Sequence, residues 1–200
     1  GGFPEEVLER VQAVGEVEIA VPVIEAQVRT GIQGQGNILI LAVDMTGDRS
    51  LREYEIDDGE EAVVDDPLVF LAQPDSIILT RDFAQANNIP PGGKVKFDTM
   101  EGPKEFTVRG IMKPGGLASA FGGNLAIMDI YAAQKVFGRG RTFDRIDLKL
   151  REDITIDQGR AALQQLLGAG YQVEPPSQRG KQFESISRIF AVGATLNSLF

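Results

Sequence analysis

The chain has 200 residues, of which 42% are hydrophobic and 24% charged, ample for a globular core and unlike a disordered chain. A formal net charge of −9 argues against a nucleic-acid binder, because phosphate contacts need a basic face, and disfavours attraction to an anionic membrane surface. With no cysteine and no histidine, the chain lacks thiol nucleophiles, disulfides, the commonest general base and the usual transition-metal ligands.

The start, Gly1-Gly2-Phe3-Pro4-Glu5-Glu6, has neither the basic residues nor the apolar core of a signal peptide. Residues 4–14 predict an amphipathic helix: Pro4 suits a first turn, Glu5 and Glu6 favour its positive end, and Val7, Leu8, Val11 and Val14 share a face. Gly15 ends it. Val17, Ile19, Val21 and Val23 then alternate along a strand that continues toward Val28. A turn over residues 31–37 leads into Ile38-Leu39-Ile40-Leu41-Ala42-Val43, a continuous apolar run of the kind found in buried central strands.

Residues 44–75 are crowded with Asp57, Asp58, Glu60, Glu61, Asp65 and Asp66 around one apolar island, Leu68-Val69-Phe70-Leu71. Carboxylates suit calcium, but the D-x-[DN]-x-[DN]-G spacing of an EF-hand is missing, so a solvated acidic loop is the reading. Ser76-Ile77-Ile78-Leu79 is a short strand, and Thr80 is a candidate N-cap for a helix over residues 81–87 with Phe83 and Ala84 on its buried side. Asn88 and Pro90-Pro91-Gly92-Gly93 stop that helix. Residues 94–97 and 105–111 alternate at the strand period, and Met100-Glu101-Gly102-Pro103 between them is turn chemistry, so a hairpin is expected.

The glycine-rich run at 114–124 lacks the G-x-x-x-x-G-K-[ST] pattern of a phosphate loop. Its Leu117 and Phe121 either tuck under the domain or form a tip that touches lipid, substrate or a partner. Residues 125–128 are a strand, and Asp129 is a candidate N-cap for a helix over 130–137 that Gly138 ends. Arg139, Arg141 and Arg145 form a basic cluster, either a salt-bridged surface or a dock for an acidic partner. Ile146, Leu148 and Leu150 alternate as a strand. A helix over 157–167 follows with Ala161, Leu163, Leu166 and Leu167 inward, and Tyr171-Gln172-Val173-Glu174 is a last short strand. The strand–helix–strand order predicts a parallel pair.

In the tail, Phe183, Ile186, Ile189 and Phe190 fall at helical spacing opposite Lys181, Glu184, Ser185 and Arg188, and beyond Phe190 the charges cease. This predicts a stalk helix over residues 180–200, entering a membrane or packing back on its own domain. No run of about 20 apolar residues occurs within the chain. It starts at a helix edge and stops in an apolar-leaning segment, and so reads as a piece of a longer protein.

The expected architecture is α+β: a discontinuous ferredoxin-like α/β lobe (residues 1–50 and 143–179), an acidic connecting loop (51–74), an inserted β-rich lobe (75–142) and a C-terminal stalk helix (180–200). Three wordings carry a resemblance: ILTRDFAQANNIPPGGKVKF at 78–97, FTVRGIM at 106–112, and NLAIMDIYAAQKVFGRGRTFDRIDLKL at 124–150. In that order they resemble the MacB-like periplasmic core domain of FtsX/MacB/LolE-type ABC transporter permeases. The resemblance covers most of the chain and leaves residues 46–74 unmatched. It implies a non-catalytic extracytoplasmic domain of an inner-membrane protein, lying between the first and second transmembrane helices, with a discontinuous α/β lobe and an inserted β-rich one. It further implies mechanotransmission: coupling of ATP-driven motion to substrate extrusion or to a periplasmic partner, with no cofactor, metal or catalytic residue. The implied partners are a cytoplasmic ABC ATPase, a second permease copy in a dimer, and a periplasmic adaptor, lipoprotein or hydrolase regulator. The residues alone leave two other classes open. One is a soluble small-barrel binding module, and the other a carboxylate enzyme using Asp65 or Asp66, which needs a second carboxylate about 5–10 Å away.

Overall fold

The structure, a computed structural model, describes residues 2–46, 62–113, 124–174 and 189–194. Contacts divide the chain into two compact units: unit 1 takes Gly1–Val23 with Arg141–Phe200, and unit 2 takes Ile24–Gly140. Residues 38–43 and 62–74 therefore belong to unit 2, whereas chain order alone grouped the former with the first lobe and the latter with a connecting loop.

In unit 1, β1 (Phe3–Pro4) pairs antiparallel with β9 (Thr142–Phe143), and α1 (Glu6–Gln12) follows. Pro4 thus serves a two-residue strand instead of a first helical turn. Val7 and Val11, one turn apart, are buried from α1, and Phe3 packs edge-on against Phe143 and Tyr171 with centroids 6.4 and 6.2 Å away. The sheet of this unit runs β11 (Tyr171–Glu174), β12 (Ile189–Ala194), β10 (Arg145–Leu150) and β2 (Val17–Arg29), every neighbouring pair antiparallel. Ile146, Leu148 and Leu150 are buried from β10, as the alternation predicts. Leu148 has Ala20 of β2 on one side and Phe190 of β12 on the other.

Two expectations fail here for one reason. The tail was expected to be helical, yet residues 189–194 form β12, while 180–188 and 195–200 lie outside the described residues. The strands β10 and β11, joined by α5 (Ile156–Leu167), are parallel as a strand–helix–strand unit predicts, but β12 lies between them. An interior strand paired on both edges reads as a continuous uncharged run, and Ile189-Phe190-Ala191-Val192-Gly193-Ala194 cannot be told from a buried helix by periodicity. The result is a split βαβ with a fourth strand, β2, on the far side of β10: a ferredoxin-like layer that the chain enters at α1 instead of at the strand before α5.

The helix α5 starts with a capping box. The Gln158 amide donates to Thr155 Oγ1 at 3.1 Å, and the Thr155 amide donates to Gln158 Oε1 at 3.0 Å. Its buried face is Gly159, Leu163 and Leu167. Ala161, expected inward, is exposed, because two residues from Leu163 it lies about 160° away around the helix.

In unit 2 the order is β2 beyond Ile24, β3 (Asn37–Val43), β8 (Leu125–Asp129), β5 (Ser76–Thr80), β7 (Gly102–Met112) and β4 (Ala62–Val64). The strand β6 (Lys94–Thr99) pairs with β7 and, through Arg29 and Asp98, with β2. Pairing through β2, β3, β8, β5, β7 and β6 therefore closes on itself, which removes free edges along that circuit. On these strands Ile40, Ile77, Ile78, Phe97, Phe106, Val108 and Ile127 are all fully buried, so both faces of β5 are covered. The β6–β7 hairpin forms as its turn residues predict: Thr99 faces Gly102, whose φ of +104° favours glycine over any side chain. The Thr80 cap also forms, accepting the Phe83 amide at 3.2 Å to open α3 (Arg81–Ala86) with Phe83 and Ala84 buried.

Candidate functional site

The residues singled out from sequence fall in different places. Leu117 and Phe121 lie outside the described residues, as do Phe183 and Ile186. Ile189 and Phe190 are in β12, facing Lys149 and Leu148 of β10. The three arginines are engaged: Arg145 pairs with Asp147 at 2.8 Å, exposed Arg141 approaches Glu5 at 3.4 Å, and Arg139 donates to the carbonyls of Phe137 and Glu25. These contacts support the salt-bridged reading over a free basic dock.

The acidic stretch is where the sequence reading changes most. Residues 67–72, expected to be loop, form α2 (Pro67–Ala72). Asp66 caps it: its carboxylate accepts the amides of Leu68 at 3.0 Å and Val69 at 3.2 Å, and Pro67 occupies the first turn, where its missing N–H costs nothing. The local signal was Asp-Pro followed by four apolar residues. Asp65, the other carboxylate weighed for catalysis, is exposed, and its amide donates to the Arg109 carbonyl.

Beneath α2 lies a polar clamp that no motif announced. Asp75, just after the helix, accepts the Thr107 hydroxyl at 2.6 Å and pairs with the Arg109 guanidinium at 2.6 Å. Arg109 also donates to the Ser76 hydroxyl at 2.8 Å, and Ser76 donates in turn to the Gln73 carbonyl at 2.7 Å. Burial pushes the Asp75 carboxyl up, but the Thr107 hydroxyl and the Arg109 guanidinium outweigh it and hold the pKa below its ordinary 3.8. Four side chains from β5, β7 and the connector thereby fix the C-terminal end of α2 to the sheet.

With Phe70 as its buried anchor, α2 presents the rest of its surface to solvent: Leu68 is 80% exposed, Val69 42% and Leu71 38%. At about 100° per residue Leu68 stands opposite Phe70, with Val69 and Leu71 on its flanks. Asp129, the expected cap of α4 (Ile130–Val136), is buried at the end of β8 and accepts the Met45 amide at 3.1 Å. Burial raises its pKa; the backbone amides of Met45, Ala132 and Tyr131 oppose the rise and the neighbouring Asp44 charge adds to it. Among the described residues, no three carboxylates come together as a metal site would require. No helix among them is long and apolar enough to cross a membrane.

Two solved structures share this fold. The extracellular domain of the noncanonic ABC-type transporter YknZ from Gram-positive bacteria aligns with a TM-score of 0.54 at 14% identity, covering 82% of this chain and 83% of that one. The periplasmic region of MacB from Actinobacillus actinomycetemcomitans aligns with a TM-score of 0.53 at 11% identity, covering 96% and 78%. The fold is thus that of the extracytoplasmic domains of ABC-type transporters. At the level of sequence, the profile of the MacB-like periplasmic core domain matches residues 1–166, and the chain belongs to that family. The uncharacterized ABC transporter permease protein Rv0987 of Mycobacterium tuberculosis is 26% identical over 131 residues, which are 65% of this chain and 15% of that protein. The chain is a periplasmic domain of an ABC transporter permease.

Proposed function

We propose that this domain does no chemistry and instead carries ATP-driven motion from the membrane part of its permease to a substrate or partner outside. In such a permease, working as two copies with a cytoplasmic ATPase, unit 1 receives the motion and unit 2 delivers it. The observation that supports this reading is the position of β12. The segment that would lead toward the second membrane helix is held in the interior of the unit 1 sheet, hydrogen-bonded to β10 on one side and β11 on the other. At the other end of the sequence, β1 is tied to β9 of the same unit. Displacement applied at either point is then resisted by ladders of hydrogen bonds sheared together, as transmission between two discrete arrangements requires.

The test uses the full-length permease assembled with its ATPase. Exposed Ala161 of α5 is replaced by cysteine in a permease freed of any other cysteine, and spin-labelled; this domain itself contributes none. The distance between labels on two copies is expected to shift between ADP and ATP states. A flexible eight-residue glycine–serine insertion after Ala194 should abolish the shift while ATP hydrolysis persists. Identical distances in both nucleotide states, or a shift that survives the insertion, would refute the reading.

A further inference from the structure

The chain has no cysteine, so its four methionines, Met45, Met100, Met112 and Met128, are the only sulfur-bearing side chains that an oxidant can meet. The fold treats them unequally. Met128 of β8 is wholly buried and Met112 of β7 is 2% exposed, while Met45, just beyond β3, is half-buried. Met100, in the two-residue loop between β6 and β7, is 96% exposed.

The hairpin does not need a thioether at that position. Its loop is closed by other groups: Thr99 Oγ1 donates to the Gly102 carbonyl at 2.7 Å and accepts the Glu101 amide at 3.1 Å, and Gly102 takes the positive φ. An apolar side chain left almost wholly in water contributes no burial to stability. Its sulfur stands open to solvent on a turn that other bonds hold in shape. The domain also lies outside the cytoplasm, beyond the glutathione and thioredoxin systems that keep the cytosol reducing.

We propose that Met100 is a reversible oxidation site, the residue of this domain at which peroxide is consumed. The thioether sulfur attacks one oxygen of hydrogen peroxide, an S–O bond forms as the O–O bond breaks, and the second oxygen leaves as water. The sulfur gives up two electrons, the peroxide takes them, and the product is methionine sulfoxide, polar where the thioether was apolar. At Met100 that change is confined to the hairpin tip. At Met112 or Met128 it would place an unpaired polar oxygen in the core, so the fold keeps the reaction where it does no structural harm. This inference goes beyond the coupling reading and does not depend on it.

The 200-residue chain is exposed to dilute hydrogen peroxide, and peptide mass spectrometry follows the gain of one oxygen at each methionine over time. Met100 is expected to convert first, and Met112 and Met128 about ten-fold or more slowly, because oxidant reaches them only when the strands open. In urea the four rates should converge, showing that the fold sets the order. The chain oxidised at Met100 alone should keep its unfolding midpoint, and methionine sulfoxide reductase should restore the thioether. Met100→Leu should abolish the fast phase and leave the slower rates unchanged. Conversion of Met45, Met112 or Met128 as fast as Met100 would overturn the proposal. So would the same order of rates in urea, a midpoint lowered by oxidation at Met100, or a sulfoxide there that the reductase leaves in place.

Discussion

Gly159 sits on the buried face of α5 against β10, and any Cβ placed there would overlap the side chain of Leu150. Leu150 is itself fully buried, so its side chain would have to shift within a close-packed interior. A glycine inside a helix costs about 1 kcal/mol relative to alanine, so on propensity alone Gly159→Ala should stabilise the domain. Close packing reverses the sign: overfilling such a contact costs about 1–3 kcal/mol. Gly159→Ala is therefore expected to lower stability by up to about 2 kcal/mol in urea unfolding, and in a Leu150→Ala background the same substitution should be neutral or stabilising. Equal costs in both backgrounds would place the effect elsewhere than this contact. Nothing local to residues 157–167 signals this contact, since Leu150 comes from another element.

At the scale of elements, the α2 connector shows how a short helix escapes detection. Six residues give fewer than two turns, too few for a 3.6-residue period to emerge, and the surrounding carboxylates read as loop. What holds α2 in place is the clamp at Asp75, whose partners Thr107 and Arg109 are more than thirty positions away. The lowered pKa of Asp75 makes the clamp pH-dependent. A carboxyl whose folded pKa lies below its unfolded value contributes stability above the unfolded pKa and loses it as pH falls through the folded one. Asp75→Asn is expected to cost about 1 kcal/mol at pH 7, a figure already reduced because the side chain is 36% exposed and screened by solvent. The gap to the parent chain should close as the pH drops below about 3.8, the ordinary value of the group. A gap that stays constant from pH 7 to pH 3 would mean that the charge is not what holds the clamp.

At the scale of the whole molecule, unit 1 is assembled from segments far apart in the chain, and residues 189–194 complete its sheet. Without β12 the strands β10 and β11 lose the neighbour they share, and buried backbone groups left unpaired are costly. A chain ending at Glu174 should therefore lose hydrogen-exchange protection at Ile146 and Leu148 and bind a hydrophobic dye. The amides of β3, β5, β7 and β8, which belong to unit 2, should stay protected. Unchanged protection in β10 would show β12 to be dispensable and would weaken the coupling reading that depends on it.

Local chemistry alone determined the Thr80 cap with α3, the β6–β7 hairpin and its Gly102 turn, the alternation of β10 and the buried run of β3. Each depends on residues within a few positions of one another. The ordered wording across residues 78–150 also pointed to the family whose profile matches. Tertiary structure alone decided that the uncharged tail segment is an interior strand, that Ala161 faces water, that α2 buries Phe70 and exposes its leucines, and that Asp75 meets Arg109. The physical reason is common to all four. An uncharged run, a small residue, a six-residue apolar island and a lone carboxylate are each compatible with several conformations, and the choice among them falls to partners supplied by distant parts of the chain.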